Sequence, residues 1–211
     1  MNASGFGSKV VLGITRITYR RLDYWARTGL VGASIRQASG RGSRRVFSFS
    51  DLVALRVVTR LLGAGVSLQG VRRAVDYLKR HTERPLSTLG LVANGKRVFV
   101  LTADPAKWLE ATAGGQVVIA IALEPIEREL KTEVIQASAS RSAEVSVRGR
   151  RYPIVLTPDL EVGGFTVHVP SLPGCLTEGE TVAESKSMAR EAIADWLDAA
   201  SKYSLRARAH G

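Results

Sequence analysis

The sequence predicts an α+β chain of several domains, and three observations carry that prediction. Charge is segregated: of a net +11, residues 1–84 hold sixteen Lys/Arg against four Asp/Glu, residues 85–142 six against six, and residues 143–211 eight against nine. The hydrophobic period changes from helical in the first third to alternating in the middle. The last third reads as three short strands and one long helix. The expected division is a basic, mainly helical domain over 1–84, a β-hairpin plus helix over 85–136, a linker over 137–143 and a βββα domain over 144–211.

In the first third, residues 6–14 form a short, mostly apolar segment. Thr18 caps a helix that runs to about Thr28 and stops at Gly29, a residue suited to the position past a helix end. This helix carries Arg20, Arg21 and Arg27 alongside Leu22, Tyr24 and Trp25. Leu22 and Trp25 stand three apart and share the buried face. Residues 34–49 turn from a Gly/Ser/Arg-rich stretch into alternation at Val46, Phe47, Ser48 and Phe49. That reads as a β-hairpin with a basic tip at Arg41–Arg45. Ser50 is expected to cap a third helix with Leu52, Leu55, Thr59 and Leu62 on one stripe. Ser67 opens a fourth, where Val71, Ala74, Val75 and Leu78 recur at helical spacing.

In the middle, Lys96 to Thr102 alternates as a strand, Gly114–Gly115 turns, and Gln116 to Ala122 returns as its partner. Glu124–Pro125 starts a helix with Pro in its first turn and Ile126, Leu130 and Val134 on one edge. The Ala/Ser-rich residues 137–143 read as the linker. Strands follow at Tyr152–Leu156, Phe165–Val169 and Cys175–Thr177, with a stiff turn at Pro170–Gly174. Thr181 and Glu184 form a capping box for the last helix. Ala189, Ala192, Ile193, Trp196 and Ala200 are its expected buried face.

Composition sets further bounds. One cysteine, Cys175, excludes an intrachain disulfide and a thiolate metal cluster within one chain. No apolar run approaches the ~20 residues of a membrane span, and no signal-peptide pattern opens the chain. The expectation is a cytoplasmic protein without membrane partners.

A field concentrated in one segment looks for a polyanion. The stretch Ile17 to Val31, with Thr18-Tyr19-Arg20-Arg21-Leu22-Asp23-Tyr24-Trp25 at its centre, resembles the recognition helix of MerR-type winged helix-turn-helix regulators. Arg45-Val46-Phe47-Ser48-Phe49-Ser50-Asp51-Leu52 resembles that family's wing strand running into the next helix. Gly65-Val66-Ser67-Leu68-Gln69 resembles its link into the fourth helix. Arg16 stands where the family usually has Gly, and no long coiled coil follows the fourth helix. The resemblance implies a winged helix-turn-helix that binds a double-stranded DNA operator as a homodimer or higher oligomer, the middle segment being a candidate dimerisation region. It places DNA contacts at Thr18, Tyr19, Arg20, Arg21, Tyr24 and Arg27 on the helix, and at Arg41, Arg44 and Arg45 on the wing.

The C-terminal motifs Tyr152-Pro153-Ile154-Val155-Leu156, Gly163-Gly164-Phe165, Pro170-Ser171-Leu172-Pro173-Gly174-Cys175 and Glu178-Gly179-Glu180-Thr181 resemble a HicB-type antitoxin domain. That resemblance implies a cut-down ribonuclease H-like fold. It also implies a small basic ribonuclease toxin of the HicA type as partner, met through Leu172, Glu178 and Glu180. The ribonuclease H-like fold raises a rival reading, a nuclease steered to nucleic acid by the basic domain. Such chemistry needs clustered carboxylates around metal. Here Ile154, Val155 and Leu156 fill the central strand, so no catalytic residues, metal or cofactor are expected. A second rival is a ligand-sensing MerR-type regulator without an antitoxin role. His168 on a strand and Cys175 after a turn read as packing or surface residues; His81 and His210 carry no partner signal.

Overall fold

The computed structural model describes residues 5–40, 43–80, 90–94, 97–101 and 119–209. The chain divides into two compact units, residues 1–135 and 136–211.

The first unit opens with β1 (Phe6–Gly7) and α1 (Ser8–Thr15). Arg16 ends α1 in the left-handed region, φ 57, and its N–H closes the helix on the Leu12 carbonyl. Glycine takes that conformation without a steric cost; an arginine there is strained. After this turn comes α2 (Tyr19–Arg27), capped by Thr18, whose hydroxyl accepts from the Arg21 N–H. Gly29, φ 70, terminates it, as expected. Leu22 and Trp25 are buried, 0% and 4% exposed.

The wing is smaller than the alternation suggests. Among the described residues its two arms meet at one bridge, Arg36 with Val46. The strand β2 is only Val46–Phe47 and pairs with β1 instead. Ser48 and Phe49, read as strand from the sequence, belong to the start of α3 (Phe49–Gly63), and Ser48 rather than Ser50 is its cap. The Ser48 hydroxyl accepts from the Asp51 N–H while the Asp51 carboxylate accepts from the Ser48 N–H. A capping box placed two residues earlier outcompetes Ser50 because it satisfies two end donors at once. The α3 face that goes inside is Leu52, Leu55, Val58 and Leu61, together with Val53, Ala54 and Val57. Thr59 and Leu62 from the expected stripe are only half-buried. The helix α4 (Leu68–Arg80) follows with Val71, Ala74 and Val75 buried.

In the middle segment the expected two-stranded hairpin is instead a three-stranded antiparallel sheet in the order β4-β3-β5. The added strand β3 (Gly90–Asn94) lies between β4 (Arg97–Leu101) and β5 (Ile119–Ala122), which do not pair with each other. Lys96, Thr102 and Gly114–Gly115 lie outside the described residues, as do His81 and His210. Helix α5 (Leu123–Ser138) then buries Leu123, Ile126 and Leu130; Val134 is half-buried.

The second unit has four strands, not three. The stretch read as a linker enters β6 (Arg141–Val147), which pairs along its whole length with β7 (Arg150–Pro158). An edge strand needs hydrogen bonds on one side only and tolerates the polar residues that made this stretch look like a linker. Arg148 and Gly149, φ 51 and 77, make the two-residue turn whose twist suits a hairpin. With β8 (Phe165–His168) and β9 (Leu176–Gly179) the sheet runs β6-β7-β8-β9, all antiparallel. Helix α6 (Val182–Ala209) covers one face. Val145, Tyr152, Ile154, Leu156, Val167 and Ile193 fill the layer between.

Candidate nucleic-acid interface and partner surface

Burying Leu22 and Trp25 fixes which way the rest of α2 points. Arg20, Tyr24 and Arg27 recur at i, i+4 and i+7 on the opposite side, and all three are exposed. Tyr19 is 60% exposed and Tyr24 55%, so neither belongs to the core. Arg21 is exposed beside them, and Thr18 sits exposed at the helix start. The helix therefore presents cations and two phenol groups together from a rigid element, with the donor-rich helix N-terminus adjacent. Such groups can reach phosphates and base edges.

Asp23, which no motif singles out, organises this face. Its carboxylate accepts from Arg27 Nε at 2.8 Å and from Arg45 Nη2 at 3.0 Å. The Arg27 guanidinium beside it, then that of Arg45, holds the Asp23 carboxyl below the usual carboxylate range. The Arg45 side chain is 16% exposed and ties the wing to α2. The expected DNA contact at Arg45 thus falls on a half-buried guanidinium already paired with a carboxylate, which positions the wing. Arg27 keeps 76% of its side chain exposed and remains on the open face. Arg44 is exposed, and its carbonyl accepts from Arg36 Nε at 3.2 Å. Arg41 lies outside the described residues.

Other cations of the basic third serve the fold. Arg72 Nη1 donates to the Thr28 carbonyl at the end of α2, and Lys79 to the Leu30 carbonyl. Positive groups suit a helix C-terminus, where carbonyls lack donors. Asp51 is 6% exposed; the same carboxylate oxygen that caps α3 also takes the Ser34 N–H at 2.8 Å and the Ser34 hydroxyl at 2.7 Å. It roots the wing on α3.

In the second unit, Glu178 and Glu180 are exposed, as expected of a partner surface. Leu172 is not: at 7% exposed it belongs to the core, clasped by the turn in which Leu172 N–H donates to Val169 and Cys175 N–H to Leu172. Large apolar residues that do stand outside include Leu176 on β9, 60% exposed and in register with exposed His168. Gly179 brings β9 against the start of α6: a Cβ there would stand 2.6 Å from the Ser185 nitrogen. That close approach places Glu178 and Glu180 on either side of a fixed point. One half of the expected Thr181/Glu184 capping box forms as read, and the other reaches one residue further back. Glu184 N–H donates to the Thr181 hydroxyl, and the Glu184 carboxylate accepts from Glu180 rather than from Thr181. Trp196 is half-buried rather than fully enclosed, and its indole N–H donates to the Pro173 carbonyl at 3.1 Å. Cys175 is 4% exposed, and burial pushes its thiol pKa up, away from the reactive thiolate. Among the described residues no three His, Cys, Asp or Glu side chains are grouped to hold a metal ion, and no helix is long and apolar enough to cross a membrane.

Residues 8–78 match the family described as MerR HTH family regulatory protein, and residues 152–207 the family described as HicB_like antitoxin of bacterial toxin-antitoxin system. An uncharacterized HTH-type transcriptional regulator of Mycobacterium tuberculosis is 42% identical over 126 residues, 60% of this chain and 56% of its own. The chain thus spans little more than half the length of that relative. Antitoxin HicB of Escherichia coli is 46% identical over 48 residues, 23% of this chain and 34% of its own. A UPF0150 protein of Thermoplasma acidophilum is 38% identical over 53 residues, which cover 25% of this chain and 75% of that protein. Those 53 residues accordingly share their family with that protein. The chain carries a MerR-family HTH domain over residues 8–78 and a HicB-like antitoxin domain over residues 152–207.

Proposed function

We propose that the protein is a DNA-binding transcriptional regulator that acts as antitoxin and autorepressor in a HicA–HicB-like toxin–antitoxin system. The observation that carries this reading is the outward row Arg20, Tyr24 and Arg27 on a buttressed α2, within a chain that also holds a HicB-like domain. The DNA-binding set is Thr18, Tyr19, Arg20, Arg21, Tyr24, Arg27 and Arg44, with Arg45 holding the wing in place. The operator is two-fold and is read by a homodimer or larger assembly in the cytoplasm. The second unit binds a small basic ribonuclease through Glu178, Glu180 and Leu176 and does not itself cleave RNA. Its exposed acids and apolar Leu176 suit a basic protein face better than a nucleic-acid backbone.

The test has two arms. A titration of duplex DNA from upstream of the protein's own gene, at fixed salt, compares wild type with Arg20→Ala/Arg21→Ala. Each arginine that touches a base edge should contribute about 1–3 kcal/mol; equal affinities would remove α2 from the interface. The second arm mixes the protein with the product of the adjacent gene, then repeats with Glu178→Lys/Glu180→Lys. Weakened binding by a folded variant supports the partner surface. RNA cleavage by the protein alone with Mg²⁺, abolished by chelator, would replace the antitoxin reading with a nuclease.

A further inference from the structure

One guanidinium connects α1, α3 and α5. Arg56 Nη2 on α3 donates to the Ile14 carbonyl at 2.9 Å and to the Glu133 carboxylate of α5 at 2.5 Å. Glu129, one turn earlier on α5, lies 4.0 Å from Arg56 Nη1 and accepts from Arg60 at 2.7 Å. Both pairs, Arg56/Arg60 and Glu129/Glu133, are spaced i, i+4, so each helix presents its two charges on one side. The Arg56 side chain is 15% exposed, and its Nε is buried without an acceptor. A guanidinium that leaves one N–H unmatched in the interior is retained there by its other contacts.

The contact to Ile14 is the informative one. Ile14 lies in the last turn of α1, whose final carbonyls have no donors within the helix. The Leu12 carbonyl takes the Arg16 N–H; that of Ile14 takes Arg56, a cation at the negative end of the helix dipole. Two residues further on, Arg16 reverses the chain in its strained left-handed conformation, and Thr18 then caps α2. The turn that sets the direction of α2 is thus held from one side by Arg56, which is held in turn by α5.

We propose that Arg56 is a positioning residue for DNA binding: Glu133 and Glu129 of α5 hold its guanidinium on the C-terminus of α1 and so fix the turn that aims α2. The proposal rests on the reading that α2 meets DNA. It makes α5, which ends only two residues before β6, a working part of the DNA-binding unit. Arg56 itself need not touch the duplex.

The test uses the full chain with Glu133→Ala, Glu133→Gln, Arg56→Lys and the reversed pair Arg56→Glu/Glu133→Arg. In the free protein, Glu133→Ala should raise amide exchange about tenfold at Arg16 and Leu22, whose N–H groups bond to Leu12 and Thr18 on either side of the turn. Exchange at Val58 and Leu61 should stay unchanged. Glu133→Gln keeps the shape and an acceptor, so it should give a smaller effect, and it serves if the alanine variant misfolds. On duplex DNA from upstream of the protein's own gene, Glu133→Ala should bind about tenfold more weakly with an unaltered salt slope. A random-sequence duplex should be affected less. The reversed pair restores the attraction but sets a carboxylate against the Ile14 carbonyl, so it should not rescue either readout. Unchanged exchange at Arg16 and Leu22 would overturn the proposal. So would rescue by the reversed pair, or a salt slope lowered in the reversed pair but not in Glu133→Ala, which would make Arg56 a phosphate contact. Should the wild type bind neither duplex, the DNA reading fails and the exchange arm alone decides the role of Arg56.

Discussion

Replacing Asp51 separates charge from geometry at the root of the wing. One carboxylate oxygen, Oδ2, accepts from Ser48 N–H at 2.8 Å, Ser34 N–H at 2.8 Å and the Ser34 hydroxyl at 2.7 Å. Asp51→Ala removes the acceptor of all three bonds. Hydrogen bonds to charged groups contribute about 1.5–3 kcal/mol each when buried, but these are half-buried and water can answer some of the freed donors. Loss of an acidic group from the first turn of α3 adds a few tenths. The expected total is about 3 kcal/mol for the first unit. Because the same oxygen takes every bond, Asp51→Asn can place its single carbonyl oxygen there and lose only the charge, about 1 kcal/mol. Amide exchange at Leu55, Val57 and Val58 reads the opening of α3 directly, so the second unit does not interfere. A loss of about 3 kcal/mol appears as roughly a hundredfold faster exchange, and about 1 kcal/mol as a fewfold change. If asparagine is as damaging as alanine, the site depends on charge and not on the shared oxygen. If alanine changes exchange less than twofold, the wing is rooted elsewhere.

Arg44→Ala should lower affinity about equally on specific and random duplexes and reduce the salt slope by about one, whereas Arg45→Ala should match Asp23→Ala in effect, because both sever the wing from α2. Unfolding followed by circular dichroism should show a loss of about 2–3 kcal/mol for Trp196→Ala, short of the ~3–5 of a fully enclosed aromatic, and about 1 kcal/mol for Trp196→Phe from the bond to Pro173. Asp23 has its folded pKa lowered by Arg27 and Arg45, so the tie it makes is present above its unfolded value of about 4 and is lost as pH falls through the lower folded value. Wing amide shifts should therefore be flat from about pH 8 to 5 and move only in strong acid; a transition near neutrality would contradict the assignment.

Local rules reached the helices best. The Thr18 cap, the Gly29 stop and the Leu22/Trp25 face depend on contacts within one or two turns, and sequence spacing encodes those. Strand pairing depends on residues far apart, and there the spacing misled. Nothing in Val46–Phe49 says that Phe6–Gly7 will be its partner, or that Asp51 will recruit Ser48 into a cap. Ser142 and Ala143 carry no alternation, yet backbone bonds to Val155 and Ile154 make them strand. Leu172 looked available because turns usually lie outside, but a turn that folds back on its own sheet buries its apolar residue. The ion pairs of Asp23 and Arg56 had a weak trace in sequence: Asp23 and Arg27 are four apart, as are Arg56 and Arg60, and Glu129 and Glu133. Which helix meets which is a tertiary fact.

The same contacts change what the basic third can offer to DNA. A surplus of cations in residues 1–84 suggests a large phosphate footprint. Yet Arg45 answers Asp23, Arg56 and Arg60 answer α5, and Arg72 closes α2. A guanidinium already satisfied inside the protein releases few counterions when DNA arrives, since leaving its carboxylate would cost what the phosphate returns. Among the described residues the exposed arginines of the α2 face and wing are Arg20, Arg21, Arg27, Arg36 and Arg44, of which Arg27 is shared with Asp23 and Arg36 with the Arg44 carbonyl. At about 0.9 counterions per phosphate, three to four such contacts give a salt slope of about −3 per protomer. A slope twice as steep would mean that the internal arginines turn outward on binding, and that the fold of the free protein is not the one that holds the operator.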